Sequence, residues 1–268
     1  MNDEDFKHNF HTHTFRCKHA TGDADDYCAM AVARGMHTLG FSDHAALPDN
    51  RWPRERMSYE QLDGYVDAVR KAQTDYPSLR VLLGMESEYV PELRAYYEDE
   101  LFGARRFDYL VGGPHYFEQE GAWKGSYGGT RDAASLTAYG RNVASMIESG
   151  LFDFIAHPDL FGNCYEHWDE NTIACSRDIF AAAKAHDVAL EVNALGLRKI
   201  AHKKPTNPFP MYPWLPFWEL ASECGVKVIV NSDAHRPQDL QARTAEAYAI
   251  VAALGLQLVD PAQIGMRH

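Results

Sequence analysis

The stretch Asn9-Phe10-His11-Thr12-His13 decides the fold. It is a short β-prone run, Asn9–Thr12, that closes on two imidazoles two residues apart. Residues so spaced on a strand face the same side and can reach one ion together. The same design returns along the chain. Ser42-Asp43-His44 closes the run His37–Ser42, and Glu86-Ser87-Glu88 closes Arg80–Glu86. Gly113-Pro114-His115 follows Tyr109–Gly112, and Ala156-His157-Pro158-Asp159 closes Phe152–Ala156. Ser232-Asp233-Ala234-His235 closes Val226–Asn231, while the run Ala189–Asn193 ends without a histidine. Six of seven β-prone runs therefore end, rather than begin, in His, Asp or Glu.

Amphipathic stretches separate these runs. Ala24–Arg34 follows the capping candidates Thr21 and Asp23, and Tyr59–Asp75 opens with the capping box Ser58-x-x-Gln61. Pro91–Phe102, Arg131–Glu148, Glu170–His186, Pro216–Cys224 and Pro237–Leu254 complete the helical set. Strand followed by helix, repeated along 268 residues, predicts an α/β fold with a parallel sheet. Closure into a distorted (β/α)7 barrel related to the TIM barrel is the expectation, with an open doubly wound sheet as the alternative. No Gly-rich G-x-G-x-x-G turn follows the first strand to favour that alternative. With neither an internal repeat nor a low-complexity linker, residues 1–268 read as one domain. Two loops should lie on the face where barrel enzymes place their chemistry: Glu118–Thr130, with four glycines, Trp123 and Tyr127, and Lys199–Trp218, with five prolines.

Composition narrows the partners. A net charge of −12 argues against a nucleic-acid-coating surface, although a local basic pocket stays open. The acidic start Met1-Asn2-Asp3-Glu4-Asp5 lacks the apolar core of a signal peptide, and the stretch Ala247–Val259 is too short for a membrane span. A cytoplasmic protein without membrane partners is expected, its oligomeric state undetermined. Five scattered cysteines with no C-x-x-C pair indicate neither a disulfide framework nor a zinc knuckle. Histidine, at 13 residues against nine lysines, is the conspicuous type. Imidazoles and carboxylates at strand ends suit Zn, Fe or Mn, and they are too many for one tetrahedral ion.

Seven segments carry a family resemblance: HNFHTHTFRCKHATG (8–22), GFSDHAALPD (40–49), GMESEY (84–89), DYLVGGPHYF (108–117), FDFIAHPDLFG (152–162), ALEVNALGLRK (189–199) and VIVNSDAH (228–235). Their ordered set resembles the PHP (polymerase and histidinol phosphatase) family of metal-dependent phosphoesterases. CKHATG, SDHA and NALGLRK look most like its histidinol-phosphate phosphatase branch. The donors suit two or three divalent ions, and the resemblance implies a PHP barrel with a trinuclear site. It assigns His11, His13, Glu86 and Asp233 to a first ion, with Glu86 bridging to a second completed by His115 and His157. His19, His44 and His235 would hold a third. Hydroxide bridging two ions would attack phosphorus, and the product pair would be L-histidinol and phosphate, a step of histidine biosynthesis.

Arg198 matches the family's phosphate-binding position. Asp43 is the candidate to orient a ligand histidine or relay a proton, with backbone hydrogen bonding at the strand end as the plainer role. Where the branch often carries a second basic residue, this chain reads Phe161-Gly162-Asn163-Cys164. Lys203, Lys204, Arg16 or Arg236 are the candidate substitutes. The alternative is a phosphatase of the same family acting on another small ester, a nucleotide or phosphotyrosine. Glu88 is expected either to face the pocket or to form a salt bridge at its rim. His8, His37, His167, His186, His202 and His268 are expected to be surface or structural residues.

Overall fold

A computed structural model describes residues 7–204, 206, 209 and 211–266. The acidic start, His268 and four positions of the Lys199–Trp218 loop lie outside the described residues. The chain gathers into two compact units. The first comprises the chain up to Val111, then Asn231–Ala245 and the stretch from Asp260; the second comprises Gly112–Val230 and Glu246–Val259.

In the first unit, β1 (His8–Asn9), α1 (Ala24–Ala33), β2 (Thr38–Phe41), α2 (Leu62–Asp75), β3 (Arg80–Ser87) and β4 (Tyr109–Gly112) alternate as expected. The strand order is β1-β2-β3-β4. β1 and β2 pair in parallel with His8 opposite Thr38, and β2 pairs with β3 from Thr38 opposite Arg80 to Phe41 opposite Leu83. Every residue of β2, and all of β3 except Arg80, is buried, as expected for parallel strands covered on both faces. Asp23 rather than Thr21 caps α1, exchanging hydrogen bonds reciprocally with Asp26. That helix buries Ala24, Tyr27, Cys28 and Ala31, one face at i, i+3, i+4 and i+7.

Tyr109 fixes the strand ends in register. Its hydroxyl donates to the carbonyls of Phe10, at 2.7 Å, and Phe41, at 3.1 Å. Those are the residues just before His11 and Ser42. Its ring lies where a Cβ on Gly40 or Gly84 would be, so both positions need glycine for this close approach.

In the second unit, β5 (Tyr116–Gln119) and β6 (Ala122–Gly125) form an antiparallel hairpin, followed by α3 (Ser126–Gly129) and α4 (Ala133–Glu148). Then come β7 (Phe154–Ile155), α5 (Glu170–His186), β8 (Ala189–Asn193), α6 (Ala194–His202), α7 (Leu215–Cys224), β9 (Lys227–Asn231), α8 (Thr244–Leu254) and β10 (Gln257–Leu258). Strand order here is β7-β8-β9-β10, with β7–β8 and β9–β10 parallel. Asp169 and Thr172 box the start of α5, and Asp187 ends it in the left-handed region at φ 55°.

Several expectations need correcting. The expected loop Lys199–Trp218 is helical at both ends, 199–202 closing α6 and 215–218 opening α7, and Pro237–Leu254 is a 3-10 turn at Pro237–Asp239 followed by α8 from Thr244. Glu118–Thr130 belongs to a hairpin and a short helix rather than a loop, because Glu120 and Gly121, both at positive φ, make the tight turn that lets β5 pair with β6, Glu118 opposite Trp123 and Gln119 opposite Ala122. Pro91–Phe102 is not one α-helix: a 3-10 turn at Pro91–Leu93 leads into a π-helix over Tyr96–Ala104.

Candidate active site

Four chain segments of the first unit are tied together by their backbones. Thr12 bridges Ala234, with His13 N–H donating to the Ala234 carbonyl at 2.9 Å and Ala234 N–H to that of His11 at 3.1 Å. The Asn9 amide donates to Ser232 Oγ at 2.7 Å, and Phe10 N–H donates to Asn231 Oδ1 at 2.8 Å. His44 bridges Glu86, and Ser42 N–H donates to the Thr12 carbonyl at 3.0 Å. These bonds carry the extended backbone past the two-residue β1, so His11 and His13 project to one side although the ladder proper stops at Asn9.

What converges there is chemically lopsided. Glu86 Oε2 lies 3.4 Å from His11 Nε2, 3.6 Å from His13 Nε2 and 3.0 Å from His44 Nδ1. Asp233 Oδ1 lies 3.6 Å from His11 Nε2, 3.2 Å from His13 Nε2 and 3.4 Å from His235 Nδ1. Two carboxylate oxygens thus serve four imidazoles. Donor atoms about 2.1 Å from a common ion sit about 3.0–3.5 Å from one another, which is the spacing found here. His19 joins them, its ring 4.8 Å from that of His235 and 5.4 Å from that of His44. His11, His13 and Glu86 form one group able to hold an ion, and His19, His44 and His235 another. Nitrogen and carboxylate donors at this spacing fit a divalent cation.

The electrostatics follow from burial and crowding. Burial pulls the His13 imidazole down, but the carboxylates of Asp233, Asp43 and Glu86 outweigh it and push the group up to about 9. Desolvation in the crowded cluster, then the neighbouring His13, pushes half-buried His235 down to about 3, and the same two causes lower His19. Burial works to raise Asp233, yet the surrounding imidazoles hold its carboxyl well below the usual range. Neutral His19 and His235 keep lone pairs for a metal. The Asp233 backbone sits in the left-handed region at φ 49°, a conformation that aspartate tolerates better than most residues.

Asp43 is fully buried and heavily used. Its Oδ2 accepts from Thr14 N–H and the Thr14 hydroxyl, its Oδ1 accepts from His44 N–H at 2.9 Å, and Oδ1 faces His13 Nδ1 at 3.7 Å. Glu88 does not reach a rim. It forms a buried bidentate ion pair with Arg56, at 2.8 and 2.9 Å, because a carboxylate this deep requires a forked cation. Arg16 is held by Asp23, and Arg236 by Asp239. His8 packs on Phe10 and His37; His37, His167, His186 and His202 are exposed, as expected.

The second unit brings His115 and His157 together, their ring centroids 5.0 Å apart. His157 lies at φ 30°, a strained value for a side-chain-bearing residue, and Glu191 Oε2 accepts its N–H at 3.1 Å. Asp159 is completely buried and accepts from Trp214 N–H at 2.7 Å and Trp218 Nε1 at 3.0 Å. Burial pushes its carboxyl up to about 7. Arg198 is half-buried on α6, while Lys203 and Lys204 are exposed.

Several residues escaped the sequence reading. Cys17 lies close to His13 and His235, but burial, then Asp43, pushes its thiol up to about 12. Arg56 sits in a charged surface-like stretch with no periodic signal. Glu191 stands inside a buried strand, where an acidic residue is itself a signal that something must satisfy it.

A family model described as PHP domain matches residues 9–195. A protein of Deinococcus radiodurans named "Probable histidinol-phosphatase" is 29% identical over 91% of this chain and 92% of its own length. Among solved structures, histidinol phosphate phosphatase from Lactococcus lactis, complexed with Zn, L-histidinol and phosphate, superposes with a TM-score of 0.70 at 14% identity, over 94% of this chain and 95% of that one. A Listeria monocytogenes protein named as a candidate histidinol phosphatase gives a TM-score of 0.70 at 23% identity, over 87% and 97%. These structures share the α/β fold expected from the alternation of strands and helices. No helix among the described residues is long and apolar enough to cross a membrane.

Proposed function

We propose that this chain, which belongs to the PHP domain family, is a metal-dependent phosphomonoesterase that hydrolyses L-histidinol phosphate to L-histidinol and phosphate. One observation carries the reading: the carboxylate oxygens of Glu86 and Asp233, each within 3.0–3.6 Å of three imidazole nitrogens in a buried cluster. The substrate follows from the Deinococcus relative and the Lactococcus complex, whose names concern histidinol phosphate. Histidine biosynthesis in the cytoplasm is the setting this implies.

His11, His13, Glu86 and Asp233 are proposed to hold one ion, and His19, His44 and His235 another. His115 and His157, paired within the second unit, are proposed as further ligands. Zn, Fe or Mn suits these donors. Such ions, when bound, acidify water and offset the charge on a phosphoryl group in flight. The protein's part is to hold the donors in place. Asp43 is proposed to fix the His13 ring from its Nδ1 side while pinning Thr14 and His44 by their backbones. Arg198 is proposed to grip phosphate oxygens. We further propose that both units act as one domain, since each is assembled from separate stretches of chain.

The test is phosphate release from L-histidinol phosphate and a panel of other monoesters, with Mn or Zn supplied, alongside His11→Ala. Strong preference for histidinol phosphate, lost in the variant, is expected. Metal-dependent turnover of other esters alone moves the reading to a different substrate of the same family. That second reading has its own support in Phe161-Gly162-Asn163-Cys164, which carries no cation after His157. No turnover of any ester overturns both.

A further inference from the structure

The second unit contains a cation that the sequence pattern did not single out. Lys199, next to Arg198 on α6, directs its Nζ to the Tyr212 hydroxyl and lies 5.2 Å from the ring centroids of both Tyr212 and Tyr127. Two aromatic faces and a hydroxyl therefore define where this ammonium sits. Successive residues on a helix point about 100° apart, so Lys199 and Arg198 serve different directions.

The tyrosines lead straight to the paired imidazoles. Tyr127 stacks on His115, with centroids 6.4 Å apart and planes at 3°, and Tyr212 meets the edge of His157 at 6.2 Å. With His115 and His157 5.0 Å apart, the five side chains close a ring: His115, Tyr127, Lys199, Tyr212, His157. Tyr212 is completely buried, whereas Tyr127 is about half exposed, which leaves the ring open to solvent on the Tyr127 side. The arrangement is built in from the backbone. A Cβ on Gly196 would strike the Tyr212 carbonyl, so a glycine one helical turn before Lys199 lets the Tyr212 segment lie against α6.

We propose that Lys199 binds a phosphoryl oxygen of the substrate and supplies the second cation missing from Phe161–Cys164. An ammonium held one tyrosine ring away from the paired imidazoles, themselves proposed metal ligands, is suited to a tetrahedral oxyanion bound near them, since it adds charge without competing for the metal's donors. This rests on the phosphoesterase reading above, and the experiment separates the two.

The full-length, metal-loaded protein is titrated with inorganic phosphate, and the KM and kcat for histidinol phosphate are measured in parallel. Lys199→Met is expected to weaken phosphate binding and raise KM by ~10–100-fold, the worth of one charge-assisted hydrogen bond, with kcat and metal content nearly unchanged. Lys199→Arg should recover most of that loss. Tyr212→Phe, which keeps the ring but removes the hydroxyl, should weaken phosphate binding by a few-fold. A lysine that merely staples α6 would lower the melting temperature in Lys199→Met and leave phosphate affinity within about twofold, and that result overturns the proposal. So does a metal-loaded wild type that binds no phosphate. Phosphate binding that depends on Lys199 in a protein that hydrolyses no ester would uphold Lys199 and overturn the proposed activity.

Discussion

The two units present their functional side chains in opposite electrostatic styles. The first surrounds two buried carboxylates, Glu86 and Asp233, with imidazoles from three chain segments. The second sets two imidazoles among tyrosines, with Lys199 against the rings and Arg198 beside it in sequence. Carboxylates set among imidazole nitrogens suit a divalent cation, and positive charge framed by aromatic faces suits an anion. A phosphomonoesterase needs both. A contrast between near neighbours makes the same point: Glu86 on β3 and Glu88 just past its end are both buried, yet Glu88 is saturated by Arg56 while Glu86 is aimed at imidazoles. A buried carboxylate already neutralised by a fork is structure, and one shared among nitrogens is chemistry.

The largest effect should come from neutralising the first cluster. Glu86→Gln is expected to cut phosphate release by at least ~100-fold and to lower bound metal, read by mass spectrometry of the purified protein. Full metal retention would break the assignment of cation binding to the first unit. Arg56→Met tests the structural member of the pair. It strands the Glu88 charge in the interior and should cost about 3–5 kcal/mol in urea unfolding, with metal content of the folded fraction unchanged.

The smallest effect concerns Asp159. Its folded-state value of about 7 lies above the 3.8 of an ordinary aspartate, because burial disfavours the charge. The stability it contributes is therefore fully present below about pH 4 and lost as pH rises through about 7. Asp159→Asn keeps an acceptor for Trp214 N–H and should flatten that fall, seen as urea midpoints that change less between about pH 4 and pH 7 than in the wild type. An unchanged slope would mean that the Asp159 carboxylate is solvated in the folded protein.

Much of this was legible from residue order. Parallel strands in an α/β fold are buried on both faces and read as apolar runs, so β4 and β8 fall on the expected residues, and α5 fits to the residue because Asp169 and the left-handed Asp187 punctuate it. Strand-end placement likewise drew attention to His11, His13, His44, Glu86, Asp233 and His235. β1 is shorter than its pattern because hydrogen bonds to Ser232 and Ala234, far along the chain, take over from the ladder after Asn9. Tyr127 stood out in its Gly-rich stretch, but nothing local to Arg56, Lys199 or Tyr212 marks them, since each matters only through a residue distant in sequence.

Local periodicity and the chemistry of strand-terminal side chains by themselves determined the class of fold, the family resemblance and the donor types. Tertiary structure alone decided which carboxylate is spent on an arginine and which is shared among imidazoles, and that Lys199 is framed by two tyrosine rings. The physical reason is range. Propensity and amphipathic spacing act over a few residues, whereas charge neutralisation, burial and ring contacts are fixed by groups that come together only when the chain has folded.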